Sequence, residues 1–179
     1  MIKILKNSLT DNDIIKLFNL WVSHSDSIIE NNRSHAQLDI LLLMPFINEL
    51  NLNYMHKSSN YMQLQMQCQD ESWGKNEYEN SFHTHEYSDL VYVQYLNDNY
   101  DGGRIIFETG EKIKPKKGDT IIFPGSLKHY VETPTNFKEQ FIEIDSNIKF
   151  NLNKRWVVAA FLNPIKSKNT TKPNPNKIL

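Results

Sequence analysis

Residues 82–107 read FHTHEYSDLVYVQYLNDNYDGGRIIF, and this stretch decides the fold class. Residues 89–96 within it are rich in β-branched and aromatic side chains, which is typical of a strand. Residues 97–103 (NDNYDGG) cluster the residue types of a turn, and a further short strand is predicted over residues 104–108. Strands joined by such turns fold back on one another, so the sequence predicts a sheet.

More strands are predicted on both sides of this stretch. Together with the first two they make about eight short strands at regular spacing, which predicts a sandwich or jelly roll. We expect a mainly β protein whose N-terminal helices support a jelly-roll core. The further predicted strands cover residues 61–69, 120–123, 129–132, 141–144 and 156–162.

The strand predicted over residues 61–69 alternates apolar side chains with glutamines. Side chains on a strand point to opposite faces in turn, so one face is apolar and the other carries only glutamine. Two interpretations follow. The glutamines either face solvent, or they line a polar cavity while the apolar face lies under the N-terminal helices.

Residues 1–55 are expected to supply those helices. Thr10 or Asp11 is a candidate N-cap for a first helix, since an apolar stripe at helical spacing follows it. A second helix is predicted over residues 34–50, interrupted at Pro45.

The composition sets broad limits on function. The chain has 179 residues and a formal charge of −1, so nothing indicates nucleic acid or a membrane as partner. Cys68 is the only cysteine, which excludes an intrachain disulfide and is typical of a reducing compartment. We expect a cytoplasmic protein with one domain over residues 1–162 (helices in 1–55, jelly roll in 61–162) and a disordered tail over 163–179.

Three histidines form a candidate metal site. His83 and His85 point to the same face if they lie on a strand, and His129 can join them if the chain folds back between. Neutral imidazoles in a set of three leave open positions on a metal and suit divalent iron. For any one of these histidines, a surface or capping role is the plain alternative.

The stretches FHTHEYSDLVYVQYLNDNYDGGRIIF, IKPKKGDTIIFPGSLKHYV and KRWVVAAFLN together resemble the iron(II)- and 2-oxoglutarate-dependent dioxygenases. The resemblance is greatest to the prolyl-4-hydroxylase-like branch and to small oxygenases of bacterial and phage type, and it covers residues 61–163. It implies a double-stranded β-helix with N-terminal helices. It also implies Fe(II), 2-oxoglutarate and O₂, with hydroxylation of a substrate and release of succinate and CO₂.

Carried over by position, the resemblance makes His83 the first metal ligand and His129 the last. The family's second ligand is an Asp or Glu two residues after the first, where this chain has His85. His85 itself can bind the metal, Glu86 or Asp89 can replace it, or the site has lost turnover. Strand parity favours His85.

The resemblance also implies a basic residue for the distal carboxylate of 2-oxoglutarate. Arg155 precedes the last predicted strand, with Lys154 as the alternative of opposite parity. Tyr95 matches a position that helps to hold the cosubstrate, although core packing explains it equally well. Residues 137–153 lengthen the gap between His129 and Arg155 and are interpreted as an insertion with its own hairpin.

Two other functions remain open. A cupin would use His83, His85, Asp89 and His129 without 2-oxoglutarate, and a non-enzymatic binding module would keep only a vestigial site. The substrate is expected to be a small molecule or a peptide, and residues 69–81 are a candidate lid. Nothing in the sequence indicates an oligomeric state.

Overall fold

The computed structural model describes residues 1–31, 35–39, 59–72, 81–144 and 148–164. In this part of the chain the protein is mainly β, as predicted, with one α-helix, α1 (Asp11–Ser23), and a short 3₁₀ helix at Ser25–Ser27. The strands are β1 (Lys3–Leu5), β2 (Ile29–Asn31), β3 (His35–Asp39), β4 (Ser59–Gln69), β5 (Leu90–Tyr95), β6 (Asp101–Gly102), β7 (Ile105–Phe107), β8 (Lys112–Ile113), β9 (Thr120–Pro124), β10 (His129–Val131), β11 (Pro134–Thr135), β12 (Phe141–Ile144), β13 (Ile148–Asn151) and β14 (Arg155–Pro164).

Seven of these strands form one antiparallel sheet in the order β1-β9-β5-β14-β4-β3-β2. A second sheet has the order β10-β7-β8, and two short pairs, β11-β6 and β12-β13, complete the described part. The sequence neighbours β4 and β5 are both partners of the last strand, β14, which therefore lies at the centre of the large sheet.

The large sheet buries both of its faces, and β14 shows how. Trp156, Val158 and Ala160 belong to the core under α1, whereas Val157 and Ala159 belong to a second core on the opposite face. This alternation is the period of two that a strand imposes on its side chains. Residues of odd number on β14, beginning with Arg155, therefore share the second face.

Helix α1 covers the first of these faces. Thr10 caps it through a capping box with Asp13, which settles the choice between Thr10 and Asp11. The ring of Trp156 packs edge-on against Phe18 and Trp21, with centroids 5.1 and 4.8 Å away. The apolar side chains of β4 (Leu64, Met66 and Cys68) are buried in the same core.

The second core lies between the large sheet and the β10-β7-β8 sheet. Its members from β5, β9 and β14 meet Ile105 and Phe107 of β7. The histidine-bearing segments border this core, so the candidate site lies between the two sheets rather than on the helical side.

The prediction of a second helix is wrong where the structure describes it. His35–Asp39 is the strand β3, and Leu38 lies opposite Met66 of β4. Helical spacing in this segment is overridden by pairing with an edge of the sheet that is distant in sequence, and Ala36 and Leu38 already fit a period of two. Residues 40–58, including Pro45, lie outside the described residues. Strands β1 and β2 are two further departures from the helices expected over 1–55.

Two predictions near the C-terminal end have different outcomes. The hairpin expected in residues 137–153 is present as β12 and β13. The boundary of the tail was placed too early, because Asn163 and Pro164 still pair with β4, opposite Asn60 and Ser59. Residues 165–179 lie outside the described part. No helix in that part is long and apolar enough to cross a bilayer.

Candidate active site

His83 and His129 are brought together by the backbone. They form an isolated antiparallel bridge in which each N–H donates to the other residue's carbonyl at 3.0 Å. Directly opposite residues of antiparallel segments project to the same side, so the two imidazoles share one space. His129 is 4% exposed.

His85 is held by the turn that follows β9. Its N–H donates to the carbonyl of Gly125 at 2.7 Å, and its own carbonyl accepts from the N–H of Ser88 at 2.9 Å. A Cβ on Gly125 would lie 2.5 Å from the His85 oxygen and 2.0 Å from the Ser88 oxygen. Only glycine lets the backbone at residue 125 come this close to the two carbonyl oxygens. The turn at Pro124-Gly125 therefore fixes the position of the His85 backbone.

The three imidazoles form one group of potential ligands. One nitrogen from each of His83, His85 and His129 lies within 4.8 Å of the others. The Nδ1 atom of His83 is 3.1 Å from the Ser81 carbonyl, and that of His129 is 2.9 Å from the Leu127 carbonyl. A carbonyl only accepts, so Nδ1 carries the proton in both rings, and Nε2 presents its lone pair.

The electrostatics favour neutral rings. Burial, followed by the nearby rings of His129 and His83, lowers the pKa of His85 to about 3. Burial also lowers the pKa of His129 to about 4, against the opposing effect of its bond to Leu127. Both rings are therefore unprotonated at neutral pH, as metal binding requires.

The alternative carboxylate ligands do not join this group. Glu86 and Asp89 are exposed. Among the described residues, the only potential metal-binding group that includes a predicted ligand is that of the three histidines. The backbone N–H of Asp89 donates to Asn163 Oδ1 at 2.8 Å, which ties this residue to the end of β14.

Arg155 is the residue that the sequence resemblance predicts to bind the distal carboxylate of 2-oxoglutarate. It is 2% exposed, and its guanidinium donates to Gln69 Oε1 and, at 3.1 Å, to the Tyr95 hydroxyl. None of the ion pairs in the described part of the chain includes Arg155, and its Nε has no hydrogen-bond partner. A buried cation without a carboxylate partner is costly unless an anion arrives to pair with it.

Lys154, the alternative to Arg155, faces elsewhere. Its ammonium lies 3.8 Å from Asp70, and both side chains are about one-third exposed. Lys154 lies in the bend before β14, which begins at Arg155.

One pocket of about 400 Å³ connects the histidines to Arg155. No Asp or Glu is among its lining residues, and most of the lining is aliphatic or aromatic. The lining residues are Gln67, Gln69, His83, Thr84, His85, Tyr87, Val91, Val93, Tyr95, Ile105, His129, Val131, Arg155, Val157, Ala159 and Phe161.

The pocket decides between the two interpretations of the glutamine face of β4. Gln67 and Gln69 line the pocket, and Gln69 is buried, whereas Gln63 at the far end is exposed. The glutamine face is thus a cavity wall at the end nearer to Arg155 and a solvent-facing surface at the other.

Four residues of the site were not predicted from the sequence. Gln69 holds Arg155, and Tyr87 contacts the ring of His85 at 5.9 Å between centroids. Tyr100 and Lys114 interact electrostatically with Arg155 and are not among the residues that line the pocket. Only the glutamine alternation gave a sequence signal for any of them.

The residues fit a divalent metal and a carboxylate ligand on chemical grounds. Three imidazole nitrogens at one end suit Fe(II), Zn(II) or a similar ion and leave positions for other ligands. At the other end, an unpaired guanidinium suits a carboxylate, which can accept two parallel hydrogen bonds. The side chains between the two ends are mostly aliphatic or aromatic.

No family model matches this chain, and no curated protein matches it in sequence. Solved structures do match in fold. An oxidoreductase of the 2OG-Fe(II) oxygenase family from Burkholderia pseudomallei has a TM-score of 0.58 at 12% identity, over 90% of this chain and 84% of that one. A prolyl hydroxylase from Trichoplax adhaerens, in complex with a peptide fragment of hypoxia inducible factor, has a TM-score of 0.55 at 14% identity, over 91% and 83%.

A third match is HygX from Streptomyces hygroscopicus with nickel, 2-oxoglutarate and hygromycin B bound. Its TM-score is 0.58 at 8% identity, over 91% of this chain and 82% of that one. The chain therefore has the fold of 2OG-Fe(II) oxygenases, prolyl hydroxylases among them, as the sequence resemblance led us to expect.

Proposed function

We propose that this protein is an Fe(II)- and 2-oxoglutarate-dependent dioxygenase with a double-stranded β-helix core, and that it hydroxylates its substrate. One observation carries the proposal: a cluster of three histidines and a buried arginine without an ion-pair partner lie in the same pocket. The histidines by themselves would support only a metal site, and Arg155 by itself would support only an anion site. Both in one pocket are what an enzyme that binds a metal and 2-oxoglutarate together requires.

His83, His85 and His129 would hold the iron through their Nε2 atoms. The bonds from His83 and His129 to the carbonyls of Ser81 and Leu127 orient those two rings before any metal arrives. With the iron and cosubstrate bound, the site would supply oxidative decarboxylation of 2-oxoglutarate to succinate and CO₂, coupled to oxidation of a C–H bond by O₂.

Arg155 would bind the distal carboxylate of 2-oxoglutarate. Gln69 and Tyr95 fix the guanidinium by accepting from it, so little side-chain freedom remains to be lost on binding. Tyr95 is fully buried and its ring lies 5.0 Å from the Arg155 Cζ, which keeps the arginine on the pocket side of the sheet. Tyr95 is thus assigned as a cosubstrate-positioning residue.

The apolar side chains of the pocket would exclude water from the reacting groups. Val157, Ala159 and Phe161 lie on the same face of β14 as Arg155, and the ring of Phe161 packs against His85 at 4.6 Å between centroids. Removing water strengthens the attraction between a bound carboxylate and the guanidinium.

The substrate would be a small molecule or a peptide. The fold neighbours include one enzyme with a peptide and one with hygromycin B, so the architecture accommodates both. Tyr87, which lines the pocket and is 47% exposed, stands where a substrate would meet His85. Residues 73–80 of the predicted lid lie outside the described residues.

The proposal is tested by cosubstrate binding in two neighbouring variants. Arg155→Ala should weaken binding of 2-oxoglutarate to the metal-loaded protein by about a hundredfold or more, because a buried charge pair is lost. Lys154→Ala is the matched control, and its affinity should stay within about twofold, since Lys154 forms only a surface pair with Asp70. Equal affinity in the Arg155→Ala variant and the wild type would contradict the proposal.

A further inference from the structure

A second cation, Lys114, lies close enough to Arg155 for the two charges to interact. The Lys114 ammonium donates to the carbonyl oxygens of Tyr100 at 2.9 Å and Gly102 at 2.6 Å. It also lies 3.8 Å from the centroid of the Tyr100 ring, a cation–π contact. No ion pair in the described part of the chain includes Lys114.

Tyr100 connects this lysine to the arginine. A Cβ on Gly103 would lie 2.5 Å from Tyr100 Cε2 and 3.5 Å from Arg155 Cδ, so the ring and the arginine stem meet at this glycine. Gly103 has a φ of +62°, a conformation that also favours glycine. The Tyr100 hydroxyl and the Arg155 Nε are both buried, and neither makes a hydrogen bond of good geometry. The Arg155 side chain is nevertheless close enough to the hydroxyl to oppose the rise in pKa that burial gives Tyr100.

The two positive charges therefore lie near each other, with Arg155 buried and Lys114 half-buried. The carboxylates that face Lys114 are Asp98, Asp101 and Glu132. Each is engaged elsewhere: Asp98 lies 3.9 Å from the Lys116 ammonium, Asp101 accepts from Asn136 at 3.2 Å, and Glu132 pairs with Arg104. An anion bound at Arg155 would be the additional negative charge that this region lacks.

We propose that Lys114 is a positioning residue for the cosubstrate: its ammonium adds a second positive charge near Arg155, and the affinity for a dicarboxylate depends on that charge. The inference rests on the proposed function, because it concerns the same carboxylate end of the pocket. Lys114 acts through Tyr100 and Arg155 and does not itself line the pocket.

The charge on Lys114 is within reach of titration. Burial, followed by the nearby charge of Arg155, lowers its pKa to about 8, whereas Asp101, Asp98 and Glu132 act in the opposite direction. A carboxylate on Arg155 offsets the repulsion between the two cations and raises the pKa of Lys114. Binding near pH 8 would then take up protons, and the affinity would fall as the pH rises through the pKa of the free form.

Three proteins test the inference: wild type, Lys114→Arg and Lys114→Met. Calorimetric titration of each Co(II)-loaded protein with 2-oxoglutarate, between about pH 7 and pH 9.5, gives the affinity. The guanidinium of Lys114→Arg stays charged throughout, and Lys114→Met is never charged. The wild type should match Lys114→Arg at pH 7 and approach Lys114→Met at pH 9.5, a fall of about three- to tenfold.

Circular dichroism of each variant is the control for folding. Any effect of pH on the metal or the histidines is common to the three proteins, and it cancels when their affinities for 2-oxoglutarate are compared as ratios. A purely structural role for Lys114 predicts parallel pH profiles, and parallel profiles would overturn this inference while leaving the proposed function in place. Absence of binding in all three proteins at pH 7 would overturn both.

A second readout is proton uptake. Titration at about pH 8 in buffers of different ionisation enthalpy should show net proton uptake for the wild type and none for Lys114→Arg. Equal uptake in the two proteins would contradict the assignment to Lys114. If Lys114→Met does not fold, the comparison of the wild type with Lys114→Arg still decides between the two outcomes.

Discussion

His83 and His129 are paired through their backbones, with reciprocal N–H to carbonyl bonds of 3.0 Å. The first and last predicted metal ligands are thus fixed by sheet geometry before any ion is present. His85 has no such partner strand and depends on the turn at Gly125. The candidate ligand that departs from the family's pattern, His85, is therefore the one held by a turn and not by a backbone bridge.

The identity of the second ligand can be tested by four substitutions. His85→Ala should weaken Fe(II) or Co(II) binding by about tenfold or more, because one of three ligands is lost. His85→Asp should retain metal binding, since a carboxylate is also a ligand for these ions. Asp89→Asn and Glu86→Gln should leave the affinity unchanged. Loss of metal binding in Asp89→Asn would favour the cupin arrangement instead.

Gly125→Ala should displace His85. The added Cβ would lie 2.0 Å from the Ser88 oxygen and 2.5 Å from the His85 oxygen, so the two segments must separate. We expect a loss of about 2–4 kcal/mol in the free energy of unfolding, together with weaker metal binding. Chemical denaturation and metal titration measure the two effects.

Gly110→Ala is the matched control for this substitution. Its Cβ would have no atom within 4 Å, although a φ of +97° makes the change cost about 1–2 kcal/mol in stability. Metal affinity should be the same as in the wild type. If both glycine variants bind metal equally well, the turn at Gly125 does not position His85.

Gln69→Glu should act as an internal competitor for the cosubstrate. A carboxylate at residue 69 would form an ion pair with Arg155, whose guanidinium now donates a hydrogen bond to Gln69 Oε1. We expect the affinity for 2-oxoglutarate to fall by about tenfold or more, because the guanidinium is occupied and the new charge repels the ligand. Calorimetric titration of the metal-loaded variant measures this affinity.

Gln63→Glu makes the same chemical change on the same face of β4, at its exposed end near Tyr87. Its affinity for 2-oxoglutarate should change by less than about twofold. Similar losses in both variants would indicate a general effect of negative charge on β4 and would count against a specific role for Gln69.

The stability of the metal-free protein should fall in mild acid. The pKa of His85 is lowered to about 3 and that of His129 to about 4 in the folded state, against 6.5 in the unfolded chain. Below about pH 6.5 the unfolded chain therefore binds more protons, and the free energy of unfolding decreases as the pH falls toward 4. We expect a loss on the order of 2 kcal/mol between pH 7 and pH 5, discounted for the partial exposure of His85.

Urea denaturation at several pH values measures this loss. His85→Gln removes one of the titrating rings and should have a shallower pH dependence than the wild type. The prediction is wrong if wild type and His85→Gln lose stability equally between pH 7 and pH 5.

Strand parity led us to expect His83 and His85 on one side, and Arg155 and Lys154 on opposite sides. The structure brings the two histidines together, but His85 lies outside any strand and is held by the turn at Gly125, a contact that parity does not contain. Arg155 begins β14, whereas Lys154 lies in the bend before it.

The segment of β3 shows where local pattern failed. Residues 35–39 are compatible with helix or strand, and what decides is their pairing with β4, about thirty residues further along the chain. Interactions of this kind are absent from a local window. Lys114 and Tyr100 escaped prediction for the same reason, since their proximity to Arg155 depends on how the turn at Gly103 packs against β14.

The most direct test of the central claim is anaerobic titration of the Fe(II)-loaded protein with 2-oxoglutarate, followed by visible absorption. Chelation of iron by the cosubstrate gives a weak charge-transfer band at about 500 nm, and we predict that it appears, saturates, and is lost in His129→Ala. Bound iron with no such band at any concentration of 2-oxoglutarate would contradict the proposed dioxygenase and would leave a metal-binding protein without this cosubstrate.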